Sequence, residues 1–472
     1  MKTIKSTYFA GAFREPSGTE VAEIISPLDG KTIARITYAD EADTQNAIQA
    51  ASDALYDYSQ TTVEERAVLM QRIHDEILKR LDDLIEATTI EYGAPRERAK
   101  WANVIAATTF LDQIKVLQGY EFTKKVNQST VIMEPIGVSA LFTPWNATAG
   151  SIAVKVSAAL GAGCTVVLKP SEFGSWQAEI MMECLHAAGL PDGVVNMVNG
   201  RGDVISKAVM ASPEVTKMSF TGSTLVGKII AKEALATMKR VTLELGGKSA
   251  NLILRDADLE KAIPMALQAA FMNNGQACIA GTRLLVPEDR LDEVKAQLIE
   301  SAGAFTVGSP LEGDFKLGPL ASQKQYQRIQ DFISIGIAEG AELLTGGLGH
   351  PQDLNEGFYV KPTIFLGVNN QMRIAREEIF GPVLSVISYI NEQEAIAIAN
   401  DTEYGLMAYV SGENVERASA VAAKLKAGRV LINTLRHDPL APFGGYKNSG
   451  IGRENGTYGL EEFLEAKTII TG

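Results

Sequence analysis

Residues 138–172 read VSALFTPWNATAGSIAVKVSAALGAGCTVVLKPSE. The segment opens on an apolar run, Val138 to Thr143, and passes through the polar trio Pro144-Trp145-Asn146. It continues at helical spacing from Ala147 to Ala162. A second apolar run, Thr165 to Leu168, ends in Lys169-Pro170-Ser171-Glu172. Short strands that are apolar throughout, joined by a helix, imply parallel pairing in a sheet covered on both faces. The polar clusters then fall at the carboxyl ends of strands, where open α/β sheets bind their ligands.

The alternation continues downstream. Helices are expected over Ser175 to Ala188, Asp203 to Met210 and Ser223 to Ala236. Strands are expected over Val194 to Val198, Lys217 to Phe220 and Val241 to Glu244. A second α/β region begins near Gly246. Its helix, Leu259 to Asn273, follows two candidate caps, Asp256 and Asp258. Its strands lie near Arg283 to Val286, Pro382 to Tyr389, Met407 to Val410 and Arg429 to Ile432. Upstream, apolar residues recur every three or four positions over Asp43 to Tyr56, Val63 to Leu81 and Pro95 to Leu117, which predicts helices. Between the helical region and the first strand, Glu121 to Val126 and Thr130 to Met133 flank Asn127 and Gln128 as a hairpin. Such a hairpin has little core of its own and suits an oligomer contact. No internal repeat is visible.

The composition is that of a globular protein: 472 residues, 46% hydrophobic and 21% charged. That length favours two or three domains. The 44 basic and 57 acidic residues leave a net charge of −13, which repels nucleic acid and anionic lipid. No uncharged apolar run approaches the roughly 20 residues of a membrane span. The stretch Met1 to Ala10 lacks the apolar core of a signal peptide. Three separated cysteines argue against a disulfide framework, and four histidines form no zinc pattern. A cytoplasmic protein without nucleic-acid, membrane or metal partners is expected.

Three stretches suit chemistry. In Asn274-Gly275-Gln276-Ala277-Cys278, the Asn and Gly break a helix, so the thiol can project into a cleft. A nucleophilic thiol needs exposure and local positive potential. Cys164 and Cys184, in apolar settings, read as structural. Glu244-Leu245-Gly246-Gly247-Lys248 puts a carboxylate at the end of a parallel strand, a place for a general base. Phe220-Thr221-Gly222-Ser223-Thr224 is a strand, a turn and a helix start, whose free N–H groups and hydroxyls suit a pyrophosphate.

In order and spacing these motifs resemble the aldehyde dehydrogenase superfamily over nearly the whole chain. The resemblance extends to Pro144-Trp145-Asn146, Lys169-Pro170-Ser171-Glu172, Glu377-Glu378-Ile379-Phe380-Gly381-Pro382, and Pro442-Phe443-Gly444-Gly445-Tyr446-Lys447 with Ser449-Gly450. It implies a Rossmann-like parallel-sheet cofactor domain (1–118 and 137–245), a second α/β catalytic domain (246–450), and a small β oligomerisation arm (119–136 and 451–472). It also implies a homodimer or homotetramer.

What the resemblance implies for the site follows. Cys278 would attack the aldehyde carbon, with its own N–H and the Asn146 amide holding the oxyanion. Glu244 would activate the water that hydrolyses the thioester. Lys155 and Glu454 match positions that relay protons from that base. NAD, with NADP weaker, would lie against Thr143, Pro144, Trp145, Lys169, Glu172, Gly202, Phe220, Gly222, Ser223, Val226, Leu245, Glu378 and Phe380. The aldehyde tunnel would be walled by Ala147, Gly150, Ser151 and Val154, by Met272 and Ile279, and by Arg436, His437 and Phe443. Where the family usually has a bulky residue and a proline after the asparagine, Ala147 and Thr148 stand here, so a wide tunnel is expected. Two alternatives stay open at this point: a CoA-acylating semialdehyde dehydrogenase, which Glu244 argues against, and a catalytically silent binding protein on the same fold.

Overall fold

In the computed structural model, which describes residues 2–471, the opening segment forms the strand Val138–Phe142, the helix Thr148–Ala162 and the strand Thr165–Lys169. Met1 and Gly472, the outer ends of the first and last expected segments, lie outside the described residues. The two strands pair in parallel, Val138 opposite Thr165 and Phe142 opposite Lys169, and every residue in them is buried. Burial on both faces is why neither strand alternates polar with apolar residues.

The sheet around them has eight strands. In spatial order they are Gly450–Ile451, Arg240–Glu244, Val215–Thr221, Val138–Phe142, Thr165–Lys169, Val195–Val198, Thr7–Phe9 and Ala12–Arg14. The five central strands are mutually parallel, and the three pairings outside them are antiparallel. The second sheet has seven, in the order Glu342–Thr345, Thr363–Leu366, Val383–Tyr389, Arg283–Pro287, Ala250–Ile253, Met407–Ser411 and Arg429–Ile432, and only the first of these is antiparallel. A three-stranded arm joins Thr123–Val126, Ser129–Pro135 and Leu464–Ile470. The last arm strand leaves the core at its first residue: Leu460, Phe463 and Leu464 pack into the cluster beneath the first sheet. No helix among the described residues is long and apolar enough to cross a membrane.

The helices start where polar caps stand. Asp40 caps Glu41–Ser59 and shares a capping box with Asp43; Thr62 and Glu65 do the same for Val63–Lys79. Of the two candidate caps before Leu259–Phe271, Asp258 takes the Glu260 N–H, while Asp256 accepts from Asn414 N instead. That helix ends two residues earlier than its periodicity predicts, because Asn273 and Asn274 take left-handed φ values of 54° and 59°. Likewise Leu81, expected inside the second helix, opens a separate one, Leu81–Ala87.

Several elements left no readable period. The strands Lys2–Ile4, Thr7–Phe9, Ala12–Arg14, Val21–Ile25 and Thr32–Thr37 are three to six residues long and mostly edge-paired. Ala250–Ile253, central in the second sheet, is four residues, too short to show a pattern.

Candidate active site

The loop carrying Cys278 is held by its own amide side chains, which bond to the backbone of residues 318–321 and to Tyr92. Asn274 Nδ2 donates to the Pro319 carbonyl at 2.9 Å, and its Oδ1 accepts from Gly318 N at 2.9 Å. Gln276 Nε2 donates to the Tyr92 hydroxyl at 3.2 Å, and its Oε1 accepts from Ala321 N at 3.0 Å. Asparagine tolerates the left-handed conformation that the turn demands at 273 and 274. Below the loop, a Cβ on Gly247 would lie 2.5 Å from the Cys278 carbonyl oxygen, so only glycine lets the strand-end segment pass.

Asn146 is tied to the same loop from the other side. Its Nδ2 donates to the Gln276 carbonyl at 2.8 Å, and Asn273 Nδ2 donates to the Asn146 carbonyl at 2.9 Å. One amide hydrogen of Asn146 remains for a substrate oxygen.

Cys278 is half-buried, whereas Cys164 and Cys184 are fully buried. Burial first, then Glu378 and Glu244, push its thiol up to about 12. The thiol therefore faces two carboxylates and no cation, the reverse of the positive surroundings that nucleophilic thiols are expected to have.

Glu244 is 3% exposed, and neither carboxylate oxygen has a hydrogen-bond partner among the described residues. Burial and the neighbouring Glu454 hold its carboxyl well above the ordinary range; Lys155 and Arg453 oppose them. A carboxyl so raised is basic enough to take a proton from water. Lys155, also buried, donates to Ser219 Oγ at 2.8 Å and pairs with Glu454 Oε1. Beside it a second buried cation, Lys217, pairs with Glu462 Oε2 at 3.0 Å. Neither Lys217 nor Glu462 belongs to a motif. The readable signal was a lysine opening the expected strand Lys217 to Phe220, two residues before Ser219.

Most residues expected at the cofactor lie at the carboxyl ends of the first sheet's strands, and Glu378 and Phe380 come from the segment before the second-sheet strand Val383–Tyr389. Lys169 Nζ meets Glu172 Oε2 at 2.9 Å, and Glu172 Oε1 accepts from Gly202 N at 3.0 Å. Ser223 caps the helix Thr224–Leu235, whose first turn leaves Leu225 73% and Val226 41% exposed, an apolar face suited to an adenine ring. Glu378 Oε1 accepts from Gly247 N at 2.9 Å, and a Cβ on Gly246 would overlap its carboxylate. The Phe380 ring stands edge-on to Trp145, centroids 5.3 Å apart. Thr143 Oγ1 is buried without a partner. Two carboxylates for ribose hydroxyls, a helix N-terminus for phosphate and a glycine cradle between them fit a dinucleotide.

A mostly apolar cavity of ≈ 150 Å³ opens beside Asn146, lined among others by Ala147, Gly150, Trp101, Trp145 and Arg98. Of the first expected wall, Ala147 and Gly150 border it, and Ser151 and Val154 do not. Met272, Ile279, Arg436, His437 and Phe443 do not line this cavity. Ile279 and Phe443 pack with Met407 and Tyr409, and His437 Nδ1 lies 3.3 Å from Arg429 Nη1. Arg98 was not anticipated; an arginine in a polar-looking helix start carries no signal of what it faces. No cluster of His, Cys, Asp or Glu able to hold a metal occurs among the described residues.

Comparison with known proteins agrees with this geometry. The aldehyde dehydrogenase family profile matches residues 13–469. A 3-succinoylsemialdehyde-pyridine dehydrogenase from a Pseudomonas species is 44% identical over 100% of this chain and 99% of its own. Aldehyde dehydrogenase C from Pseudomonas syringae, solved with NAD+ and octanal, superposes with a TM-score of 0.98 at 43% identity, covering 99% of this chain and 96% of that one. An aldehyde dehydrogenase from Mycobacterium tuberculosis complexed with NAD+ gives a TM-score of 0.97 at 36% identity, covering 100% and 99%. The chain belongs to the aldehyde dehydrogenase family.

Proposed function

We propose that Cys278, Asn146 and Glu244 carry the oxidation of an aldehyde to a carboxylic acid by this family member, with NAD as oxidant. The observation supporting these roles most is Glu244: a buried carboxylate with no partner, raised in basicity, close enough to act on the Cys278 thiol. A carboxylate left unbonded in the interior is costly unless a reacting group completes it.

In this reading the aldehyde enters through the cavity beside Asn146. The Cys278 thiol gives its proton to a water molecule as its sulfur bonds to the carbonyl carbon. The new oxyanion accepts from the Cys278 N–H and from the free amide hydrogen of Asn146. The bound nicotinamide ring supplies the acceptor for the hydride that leaves this carbon. Glu378 and the Lys169–Glu172 pair would hold the cofactor's two riboses, with Ser223 at its phosphates. A thioester remains on Cys278. Glu244 takes a proton from water as the water oxygen bonds to the thioester carbon, and the carbon–sulfur bond breaks to release the acid. Glu454 and Lys155 lie next to Glu244 and would pass that proton outward. The relatives solved with NAD+ support this cofactor, and the octanal bound to the Pseudomonas syringae relative supports a medium-length aldehyde. Glu244 favours hydrolysis over transfer to CoA.

The arm favours self-association. Its outer strand Thr123–Val126 is exposed throughout, and Ile469 and Ile470 are 45% and 76% exposed. An unpaired edge with exposed apolar residues suits a second copy. Sedimentation of the chain against one truncated before Leu464 tests this.

The deciding experiment for the activity follows reduced-cofactor absorbance with a panel of aldehydes and NAD. Turnover is expected from the wild type and not from Cys278→Ala. Equal turnover by both would assign the nucleophile elsewhere.

A further inference from the structure

We infer that Arg98 forms an anion-recognition subsite in the aldehyde cavity, and that the enzyme prefers aldehydes carrying a carboxylate at the end remote from the reacting carbon. The inference rests on the assignment of that cavity to the aldehyde. Arg98 and Asn146 line the same cavity. The helix Arg96–Gly119 presents Arg98, Trp101, Ala102 and Ile105 to it, spaced as one helical face. At a rise of about 1.5 Å per residue, that face runs for roughly 10 Å, room for an extended aliphatic chain.

Arg98 makes no hydrogen bond or ion pair among the described residues. Its Nε is buried without a partner, and its guanidinium carbon sits 4.3 Å from the centre of the Trp101 ring. Burial disfavours its charge, and the titratable groups that feel it are the Tyr92 hydroxyl and His437, neither of them a carboxylate. A guanidinium stays charged at any physiological pH, so an unpaired one in a cavity wall lacks its counter-ion.

The neighbouring basic groups are already engaged. Arg429 donates to the carbonyls of Pro442, Asp438 and Ala441 and faces His437. Among the residues lining this cavity Arg98 is the one arginine, and its fork, without a hydrogen-bond partner among the described residues, matches a carboxylate with two parallel hydrogen bonds. The same cavity is also walled by Trp101, Trp145, Ala102 and Ile105, which favour a hydrocarbon chain. A molecule with an aldehyde at one end, methylenes between and a carboxylate at the other satisfies all three zones.

The test compares kcat/KM for hexanal with 6-oxohexanoate, and for octanal with 8-oxooctanoate, in the wild type, Arg98→Gln and Arg98→Lys. The wild type should favour the ω-carboxylate in at least one pair. In Arg98→Gln the carboxylate-to-alkyl ratio should fall by about tenfold or more, chiefly through KM, as a buried charged contact is lost. Arg98→Lys should keep an intermediate ratio. An unchanged ratio in Arg98→Gln, or a wild type that favours the plain aldehyde in both pairs, overturns the subsite while leaving aldehyde oxidation standing. Failure of every aldehyde to reduce NAD would overturn the underlying assignment of the cavity and the subsite with it.

Discussion

The side-chain amide of Asn146 donates to the carbonyl oxygen of Gln276 at 2.8 Å, two residues before Cys278. Asn273 returns the connection from its own amide to the Asn146 carbonyl. The oxyanion donor and the nucleophile's loop are thereby one rigid unit, and neither can shift alone. Asn146→Ala should lower kcat by roughly 10²–10³-fold, the usual worth of an oxyanion donor. Asn273→Ala, which loses only the tie, should cost less. Steady-state kinetics of both variants check this; a larger loss in Asn273→Ala would shift the donor role away from Asn146.

The position of Cys278 between Glu378 and Glu244 sets its reactivity before cofactor binds. With the thiol pushed up to about 12, iodoacetamide should alkylate it slowly at neutral pH and faster as pH rises. Glu378→Gln removes the larger of the two repelling charges and should accelerate alkylation at fixed pH. Slower alkylation in that variant would show that Glu378 does not face the thiol. Cys164→Ala and Cys184→Ala should retain turnover, since both thiols are buried away from the loop.

Glu244→Gln should leave the first turnover, seen as a burst of reduced cofactor, but cut the steady state by about 10²-fold or more. A base must be ionised to act, so activity is lost as pH falls through the raised Glu244 value. Lys155 lowers that value and Glu454 raises it. Lys155→Met should therefore move the acid limb of kcat to higher pH, and Glu454→Gln should move it to lower pH. Shifts in the opposite senses would place the titrating group elsewhere.

Cofactor choice should rest on Glu172, whose carboxylate is held by Lys169 Nζ and Gly202 N–H at the end of its strand. A fixed carboxylate accepts from ribose hydroxyls and repels a 2′-phosphate. Glu172→Gln should raise the NADP-to-NAD ratio of kcat/KM. The partial neutralisation by Lys169 keeps weak NADP use in the wild type. A ratio that does not move would mean the ribose lies away from this pair.

Most of the parallel core was legible in the residues alone. Strands buried on both faces must be apolar throughout, and the helices between them must show one apolar stripe, so Val138 to Glu244 announced its own alternation. Cys278, Glu244, Asn146 and the glycines around them were visible because turns, strand ends and close backbone passages restrict residue type locally. Tertiary structure alone decided what those side chains face. No local rule states that the thiol at 278 meets the carboxylates of residues 244 and 378, because those positions are brought together by the junction of two sheets. Likewise, nothing within Arg96-Glu97-Arg98 distinguishes a solvated arginine from one turned into a cavity. The edge strands of residues 2–37 and the four-residue centre of the second sheet also escaped, being too short to carry a period; their pairing partners, distant in sequence, supply the order that their own residues do not.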